Sequence, residues 1–388
     1  MKKIAIITTH PIQYYAPLFR LMSQQSQFVV KVFYTWGEVS LARKYDPGFG
    51  KEIEWDVPLL DGYDFYFPIN KAKDPGSHHF GGINNPNLID ELAEWRPDAI
   101  LVFGWNFNSH LRILYHFKGR IPVFFRGDST LLDERPGIKK ILRRIFLSWV
   151  YRHVDYAFYV GTNNKNYFIA HRLKEEQLIY APHAIDNNQF MDDSVQKKQK
   201  AMEWRRKLGI KDTHIVFLFA GKFENVKNPI MLINAIKIIN DTKTHLIFVG
   251  NGELENKMKE SSEGYCNIHF IEFQNQQAMT IIYRLADVFV YPSISETWGL
   301  AVNEAMASGL PVIVSDKVGC SVDLVTNGSN GCIFESNNIN SLTEKLRLLS
   351  DNLNRLKAMG ANSKIIIAEY SMEKLKNIIT ASFLEKSN

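Results

Sequence analysis

A two-domain α/β protein built on parallel sheets is what this sequence predicts, and three observations predict it. Its 388 residues exceed what one hydrophobic core normally supports. Short β-branched and apolar runs alternate with longer helical patterns along most of the chain, which is the rhythm of βαβ units. That rhythm stops once, in the polar stretch SVQKKQKAMEWRRK, and restarts near His214.

In the first half, strands are expected at KIAIITT, VVKVFYTW, AILVFG, PVFFRG and DYAFYVG, with helices between them such as one from about Tyr14 to Ser23. In the second half, strands are expected at IVFLFAG, HLIFVG, IHFIEF, DVFVYP and PVIVSD. Helical segments there are NPIMLINAIKIIN, QQAMTIIYRLAD and NEAMASG. From about Ser341 the chain reads as three helices with no further strand. The boundary is placed close to Asn187. This gives an N-terminal Rossmann-like domain over 1–186, a C-terminal one over 187–370, and a terminal helix over 371–388 that could cross back onto the first domain.

Composition excludes several classes. At 45% hydrophobic and 22% charged residues the chain has the make-up of an ordinary soluble protein. The 46 Lys plus Arg against 41 Asp plus Glu leave +5, which suits phosphorylated small molecules or an anionic membrane surface. It is too mild to require nucleic acid, and no nucleic-acid partner is expected. Cys266, Cys320 and Cys332 are far apart, form no CxxC pair and lack the His spacing of a zinc site, so a reduced, cytoplasmic chain is the natural reading. No apolar run approaches the roughly 18 residues that span a bilayer, and KKIAII is too short for a signal-peptide core before His10 and Pro11.

The chemistry concentrates in YPSISETWGLAVNEAMASGLPVIVSD, Tyr291 to Asp316. A buried strand ends at Pro292, a polar loop follows, a helix begins near Trp298 and stops at Gly309, and the next strand opens at Pro311. In doubly wound sheets, ligands bind where strand carboxyl ends meet helix amino ends, because unpaired N–H groups and the helix dipole favour phosphate there. Glu296 lies in that mouth. Glu304 follows after seven intervening residues, roughly 7.5 Å along the helix axis if the helix starts near Gly299, so the two carboxylates have different tasks. A carboxylate beside a diphosphate is costly unless it accepts hydrogen bonds from sugar or ribose hydroxyls, and a sugar nucleotide accounts for both. The bland alternative is a helix-capping Glu296 and a solvated Glu304. A second element, FAGKFENVKNP, ends a strand at Gly221 and delivers Lys222 and Lys227 from one loop, where they can neutralise a leaving diphosphate.

In this context ETWGLAVNEAMASGLPVI resembles the Glu, seven residues, Glu signature of the retaining glycosyltransferases of family 4. The resemblance implies a GT-B architecture, two Rossmann-like domains facing a cleft. It also implies donor contacts. Glu296 would meet the sugar hydroxyls and Glu304 the ribose. The backbone amides around Trp298, Gly299 and Leu300, with Thr297 in the same loop, would meet the sugar and diphosphate. Trp298 stands where the family more often has Phe. Lys222 replaces a commoner Arg, keeping charge but losing the bidentate fork. LIFVGNGELENKMKE is similar to the family's Gly-x-Gly turn, which brings in Gly250, and FIEFQNQQAMTIIYRLAD to the segment whose loop meets the base, which brings in Phe273. VGCSVDLVTNGSNGCIF is similar to its Gly-rich loop, with Asp323 for the usual Glu. Such matches cover nearly all of residues 214 to 334.

The first domain resembles the family less. The loop THPIQYYAPLF lacks the paired glycines common there, and His10, Gln13 and Tyr14 are its candidates for acceptor contacts, with capping and packing as the alternative. PVFFRGDST falls where several members carry a His; here Arg126 and Asp128 take that neighbourhood. Either Arg126 serves a phosphate-bearing acceptor or the pair is a structural salt bridge. APHAID resembles a hinge turn with His183 in it. The segment 136–154 mixes Lys139, Lys140, Arg143 and Arg144 with Ile138, Ile141, Leu142, Ile145, Phe146 and Trp149 at helical spacing. Either it lies on an anionic membrane surface or it is a domain helix with a solvated basic face.

The expectation is therefore a retaining transfer of a sugar from a nucleotide-sugar donor to a glycan or lipid-linked hydroxyl acceptor. It would serve cell-surface polysaccharide or lipid-linked oligosaccharide assembly, on a cytoplasmic chain that could lie peripherally on the inner face of the membrane. No cofactor or metal is expected: no DxD-like pair stands at a strand end, and Glu296, Lys222 and Lys227, with Arg126 and Asp128 on the acceptor side, are the catalytic candidates. A sugar-nucleotide epimerase or a phosphorylase on the same architecture, and a noncatalytic sugar-nucleotide-binding partner of another transferase, are the rivals.

Overall fold

The computed structural model describes residues 1–41, 44–46, 48–53 and 55–386. Residues 42, 43, 47 and 54 of the expected first domain, and 387 and 388 of the expected terminal helix, lie outside the described residues. The chain divides into two compact units. The first comprises residues 1–42, 57–183 and 372–388; the second comprises 43–56 and 184–371.

The first unit is a seven-stranded sheet. Its strands are β1 (Lys2–Thr8), β2 (Phe28–Tyr34), β5 (Asp64–Tyr66), β6 (Ala99–Phe103), β7 (Val123–Arg126), β8 (Tyr156–Tyr159) and β9 (Leu178–Tyr180). The order is β5-β2-β1-β6-β7-β8-β9 with every pairing parallel. Ile4, Ala5, Ile6 and Ile7 of β1 are all fully buried, as a central strand covered on both faces requires. The helices of this unit are α1 (Ala16–Ser23), α2 (Leu88–Trp95), α3 (Asn108–Phe117), α4 (Ile138–Tyr151) and α5 (Thr162–Ala170). The terminal helix, Met372–Lys386, groups here too, placing Phe383 edge-on against Phe28, Phe124 and Phe158.

The second unit carries a short antiparallel hairpin, β3 (Lys44–Asp46) with β4 (Lys51–Ile53), and a six-stranded parallel sheet. The sheet strands are β10 (Ile215–Ala220), β11 (Thr244–Val249), β12 (Ile268–Ile271), β13 (Val288–Tyr291), β14 (Val312–Ser315) and β15 (Gly331–Phe334), in the order β12-β11-β10-β13-β14-β15. The helices are α6 (Asn187–Met191), α7 (Val195–Lys207), α8 (Pro229–Ile239), α9 (Glu255–Ser261), α10 (Gln276–Ile282), α11 (Leu300–Ala307), α12 (Ser321–Leu324), α13 (Ile339–Leu348) and α14 (Leu353–Ile367); the terminal helix of the first unit is α15. Local sequence sets these limits. Pro229 opens α8, where its missing N–H costs nothing, and Asn228 and Asn240 bound it in left-handed conformation.

All ten strands expected from the sequence are present. The structure adds β5, β9 and β15 at sheet edges, and the hairpin that joins the second unit although it lies in the first half of the sequence. In both sheets the strand order reverses beside the first strand of the sheet, between β1 and β6 and between β10 and β13. Those are the topological switch points at which doubly wound sheets bind ligands.

Candidate functional site

The switch point of the second sheet brings together the loops after β10 and β13. The backbone N–H of Ile294 and the Ser293 hydroxyl both donate to the carbonyl of Val226, at 2.8 and 2.9 Å, clamping the loop after β13 onto the turn that carries Lys227. The ammonium of Lys227 consequently meets the carboxylate of Glu296, which also accepts a 2.9 Å hydrogen bond from the hydroxyl of Tyr291. Lys227 lies 5.5 Å over the Tyr291 ring as well. Both charged side chains keep a little under a fifth of their surface exposed, so the pair is reachable from solvent.

The other side of the loop is pinned to residues 317–320. Glu296 N–H donates to Lys317 O at 3.2 Å, Gly319 N–H to Glu296 O at 2.9 Å, and Cys320 N–H to Trp298 O at 3.0 Å. Gly299 then turns the chain with φ +99°, a conformation that strains any residue with a Cβ, and α11 starts at Leu300. The first-turn amides of such a helix have no partner within it and carry the positive end of its dipole.

Glu304 sits on α11 and is 4% exposed. The hydroxyl of Tyr283 donates to one of its oxygens at 2.8 Å, and the side-chain amide of Gln276, the first residue of α10, to the other at 3.4 Å. The two carboxylates thus have different partners: a cation and a phenol for Glu296, a phenol and an amide for Glu304. Trp298 is 3% exposed and turned inward, its indole N–H donating to Asn303 at 2.9 Å, so its side chain holds the loop. Thr297 lies in the same loop.

Gly221 and Gly250 end β10 and β11 at a close approach: a Cβ on Gly250 would fall 2.0 Å from the Gly221 carbonyl oxygen. Lys222, next in the chain, places its ammonium 5.1 Å from the centre of the Phe49 ring of the hairpin. Phe273, just beyond β12, donates its N–H to Asn251 at 2.9 Å and meets Phe49 edge-on. Tyr291, Tyr283, Gln276 and Phe49 were not read from the sequence. Tyr291 could have been, since it is the last residue of the strand that opens the mouth. The others are too far along the chain for spacing to reveal them.

In the first unit, His10 follows β1, its Nδ1 2.8 Å from the Thr9 hydroxyl and its ring edge-on to Trp36 at 5.3 Å. Gln13 and Tyr14, both partly exposed, complete that loop. Arg126, the last residue of β7, is 1% exposed and donates to the carbonyls of Ala181 and Pro182 at 2.8 and 3.2 Å. Burial lowers its pKa from the usual guanidinium value, opposed by the nearby Tyr15 and Asp128. Asp128 pairs with His183 Nε2 at 3.6 Å. Among the described residues one group of metal-capable side chains converges, Asp74, His78 and His79, on an exposed stretch of the first unit.

On α4 the buried side is Leu147, Val150 and Tyr151. Ile138, Leu142 and Ile145 are 76, 61 and 64% exposed, and Ile141, Phe146 and Trp149 are exposed as well. Lys140 and Arg144 are tied to Glu134, whereas Lys139 and Arg143 stand on the exposed side with the apolar residues.

Two doubly wound parallel sheets, the second with a cation and carboxylate mouth at its switch point, define the GT-B class. Residues 200–365 match the family model described as glycosyl transferases group 1. The chain is 32% identical over 168 residues to the UDP-Gal:alpha-D-GlcNAc-diphosphoundecaprenol alpha-1,3-galactosyltransferase of Escherichia coli, covering 41% of this chain and 43% of that protein. It is 26% identical over 295 residues to spore coat protein SA of Bacillus subtilis, covering 72% and 71%. The curated relatives sharing 31 to 34% identity are spanned over 40 to 44% of their length. In fold, the chain is similar to Anabaena HepE in its complex with UDP, with a TM-score of 0.75 at 15% identity over 99% of this chain and 100% of that one. No helix among the described residues is long and apolar enough to cross a membrane.

Proposed function

We propose that the protein transfers a hexosyl or N-acetylhexosaminyl group, with retention, from a nucleotide-sugar donor held by the second unit to a hydroxyl acceptor. The observation that carries this reading is the Lys227–Glu296–Tyr291 cluster beside the amino end of α11, with Glu304 in the second turn of that helix. Glu296 accepts hydrogen bonds from the donor sugar's hydroxyls, and Glu304 from the ribose. Lys222, Lys227 and the first-turn amides of α11 take up the charge that the diphosphate gathers as the glycosidic bond breaks. With that charge supplied by the chain, no metal is needed. The acceptor oxygen attacks from the face the diphosphate leaves, and a departing phosphate oxygen removes its proton.

The Escherichia coli relative is named for a UDP-galactose donor and a diphosphoundecaprenol-linked acceptor, which supports a nucleotide-sugar donor and a lipid-linked acceptor here. The outward apolar side of α4 with Lys139 and Arg143 supports peripheral binding to an anionic membrane, where such an acceptor resides. Polysaccharide or lipid-linked oligosaccharide assembly is the corresponding context. Arg126, engaged with two carbonyls, acts as a positioning residue for the segment after β9, and His10, Gln13 and Tyr14 are the acceptor-side contacts.

The test is thermal stabilisation by UDP-, GDP- and dTDP-sugars with and without EDTA, followed by transfer assays. One nucleotide series should raise the melting temperature, unaffected by EDTA and lost in Lys222→Ala. Glu296→Gln should reduce transfer by roughly two orders of magnitude or more with its melting temperature kept; near-normal transfer would remove Glu296 from this role.

A further inference from the structure

The hairpin β3–β4 comes from the first half of the sequence, yet it groups with the second unit, and its turn meets residues just past β10 and β12. Phe49, in that turn, meets Phe273 edge-on with ring centres 4.7 Å apart, and Trp55 lies 6.3 Å from the same Phe273 ring. The Lys222 ammonium sits over the Phe49 ring. Asp56 anchors the segment after the hairpin, its carboxylate accepting the backbone N–H of Gln277 and its carbonyl the Gln277 side-chain amide, both at 3.1 Å. That carboxylate lies at the amino end of α10, where the helix dipole favours it. Gln276, the neighbour of this anchor, donates to Glu304, so the aromatic cluster lies toward the Glu304 side of the site.

Three aromatic rings beside a cation fit a flat heteroaromatic ring joined to an anion. We propose that Phe49 and Trp55, with Phe273, supply the ring faces on which the base of a nucleoside diphosphate stacks and help set which base is accepted. This rests on the donor reading above and assigns its base-recognition residues to the hairpin. Edge-on rings with centres 4.7 Å apart leave no slot between them. An entering base therefore exchanges the Phe49–Phe273 contact for a face-to-face stack.

The test is calorimetric binding of UDP, GDP and dTDP, and of inorganic pyrophosphate as the base-free probe, to the full chain and to Phe49→Ala, Phe49→Leu, Phe49→Tyr and Trp55→Phe. Phe49 lies in a turn between two three-residue strands, so its truncation leaves the ladder in place. The accepted nucleotide should bind about tenfold more weakly to the Ala and Leu variants, as loss of one aromatic–base stack predicts. Phe49→Tyr should retain affinity, and pyrophosphate should bind all of them alike. Nucleotide addition should also change tryptophan emission of the wild type more than that of Trp55→Phe. Nucleotide binding to Phe49→Ala within twofold of wild type, or full affinity in Phe49→Leu, would overturn the proposal while leaving the donor site standing. A wild-type chain that binds none of the three nucleotides overturns the donor reading and this inference with it.

Discussion

At the scale of residues, the donor mouth depends on backbones that touch. Gly319 shows this most plainly: a Cβ there would stand 1.8 Å from the carbonyl oxygen of Thr297, in the loop that carries Glu296. A Gly319→Ala substitution must push the 295–299 loop away or break the bonds to Glu296 O and Trp298 O, at a cost of roughly 1–3 kcal/mol. The expected outcome is a lower melting temperature together with loss of donor-induced stabilisation. A variant that keeps full donor stabilisation would show that the contact with residues 317–320 does not shape the mouth. Arg126 teaches the complementary lesson. From the sequence its charge beside Asp128 left two roles open. In the fold its terminal nitrogens face Ala181 and Pro182, carbonyls that no local pattern could have named.

At the scale of elements, α4 is the anomaly. An amphipathic helix normally turns its apolar stripe inward, yet Ile138, Ile141, Leu142 and Ile145 point outward at i, i+3, i+4 and i+7. An Ile141→Glu/Ile145→Glu variant should fold as the wild type does, because those side chains are exposed. It should bind phosphatidylglycerol vesicles at least roughly tenfold more weakly in co-sedimentation, given about 1.5–3 kcal/mol per large apolar side chain buried. Equal sedimentation of both proteins would return α4 to an ordinary surface helix. Edge strands account for what the strand pattern missed. β5, β9 and β15 are three or four residues long and pair on one side only, so they need no continuous apolar run to be stable. DFY and LIY therefore read as loop. Most of the ten legible strands are central and apolar on both faces; β12, itself at an edge, is legible because Ile268, Phe270 and Ile271 keep its run apolar.

At the scale of the whole molecule, each unit holds histidines in neutral form. In the first, His110 is fully buried between Thr35 and the carbonyls of Phe103 and Gly104, and burial pushes its pKa down to about 4. In the second, His214, His245 and His269 form a hydrogen-bonded row at 2.8 and 3.0 Å. Burial, then the neighbouring imidazoles, takes His245 to about 4. A folded-state value below the unfolded value of about 6.5 means that the unfolded chain binds the proton first. The contribution of His110 and His245 to stability is complete above pH 6.5 and is lost as pH falls from there toward 4. For His110 it is on the order of 3 kcal/mol. Urea unfolding followed between pH 7.5 and 4.5 should show stability falling across that window, with a shallower slope in His110→Asn. An unchanged slope would mean that this histidine protonates within the folded state.

What the sequence determined by itself was the fold class, the ten principal strands and the positions of Glu296 and Glu304 in one strand–loop–helix unit and of Lys222 and Lys227 in the loop of another. Those follow from burial on both faces of a parallel strand and from the short reach of a strand–loop–helix unit, which leaves a residue few places to go. Only the tertiary structure decided the partners. Lys227 lies 69 residues from Glu296, and Asp56 lies 221 residues from Gln277. Such contacts depend on the order of strands in a sheet and on how loops from different strands are hydrogen-bonded together, and neither leaves a periodic trace in the chain. The hairpin that carries Phe49 is the extreme case: a polar segment of the first half whose place is set by the loops of the second unit it packs against.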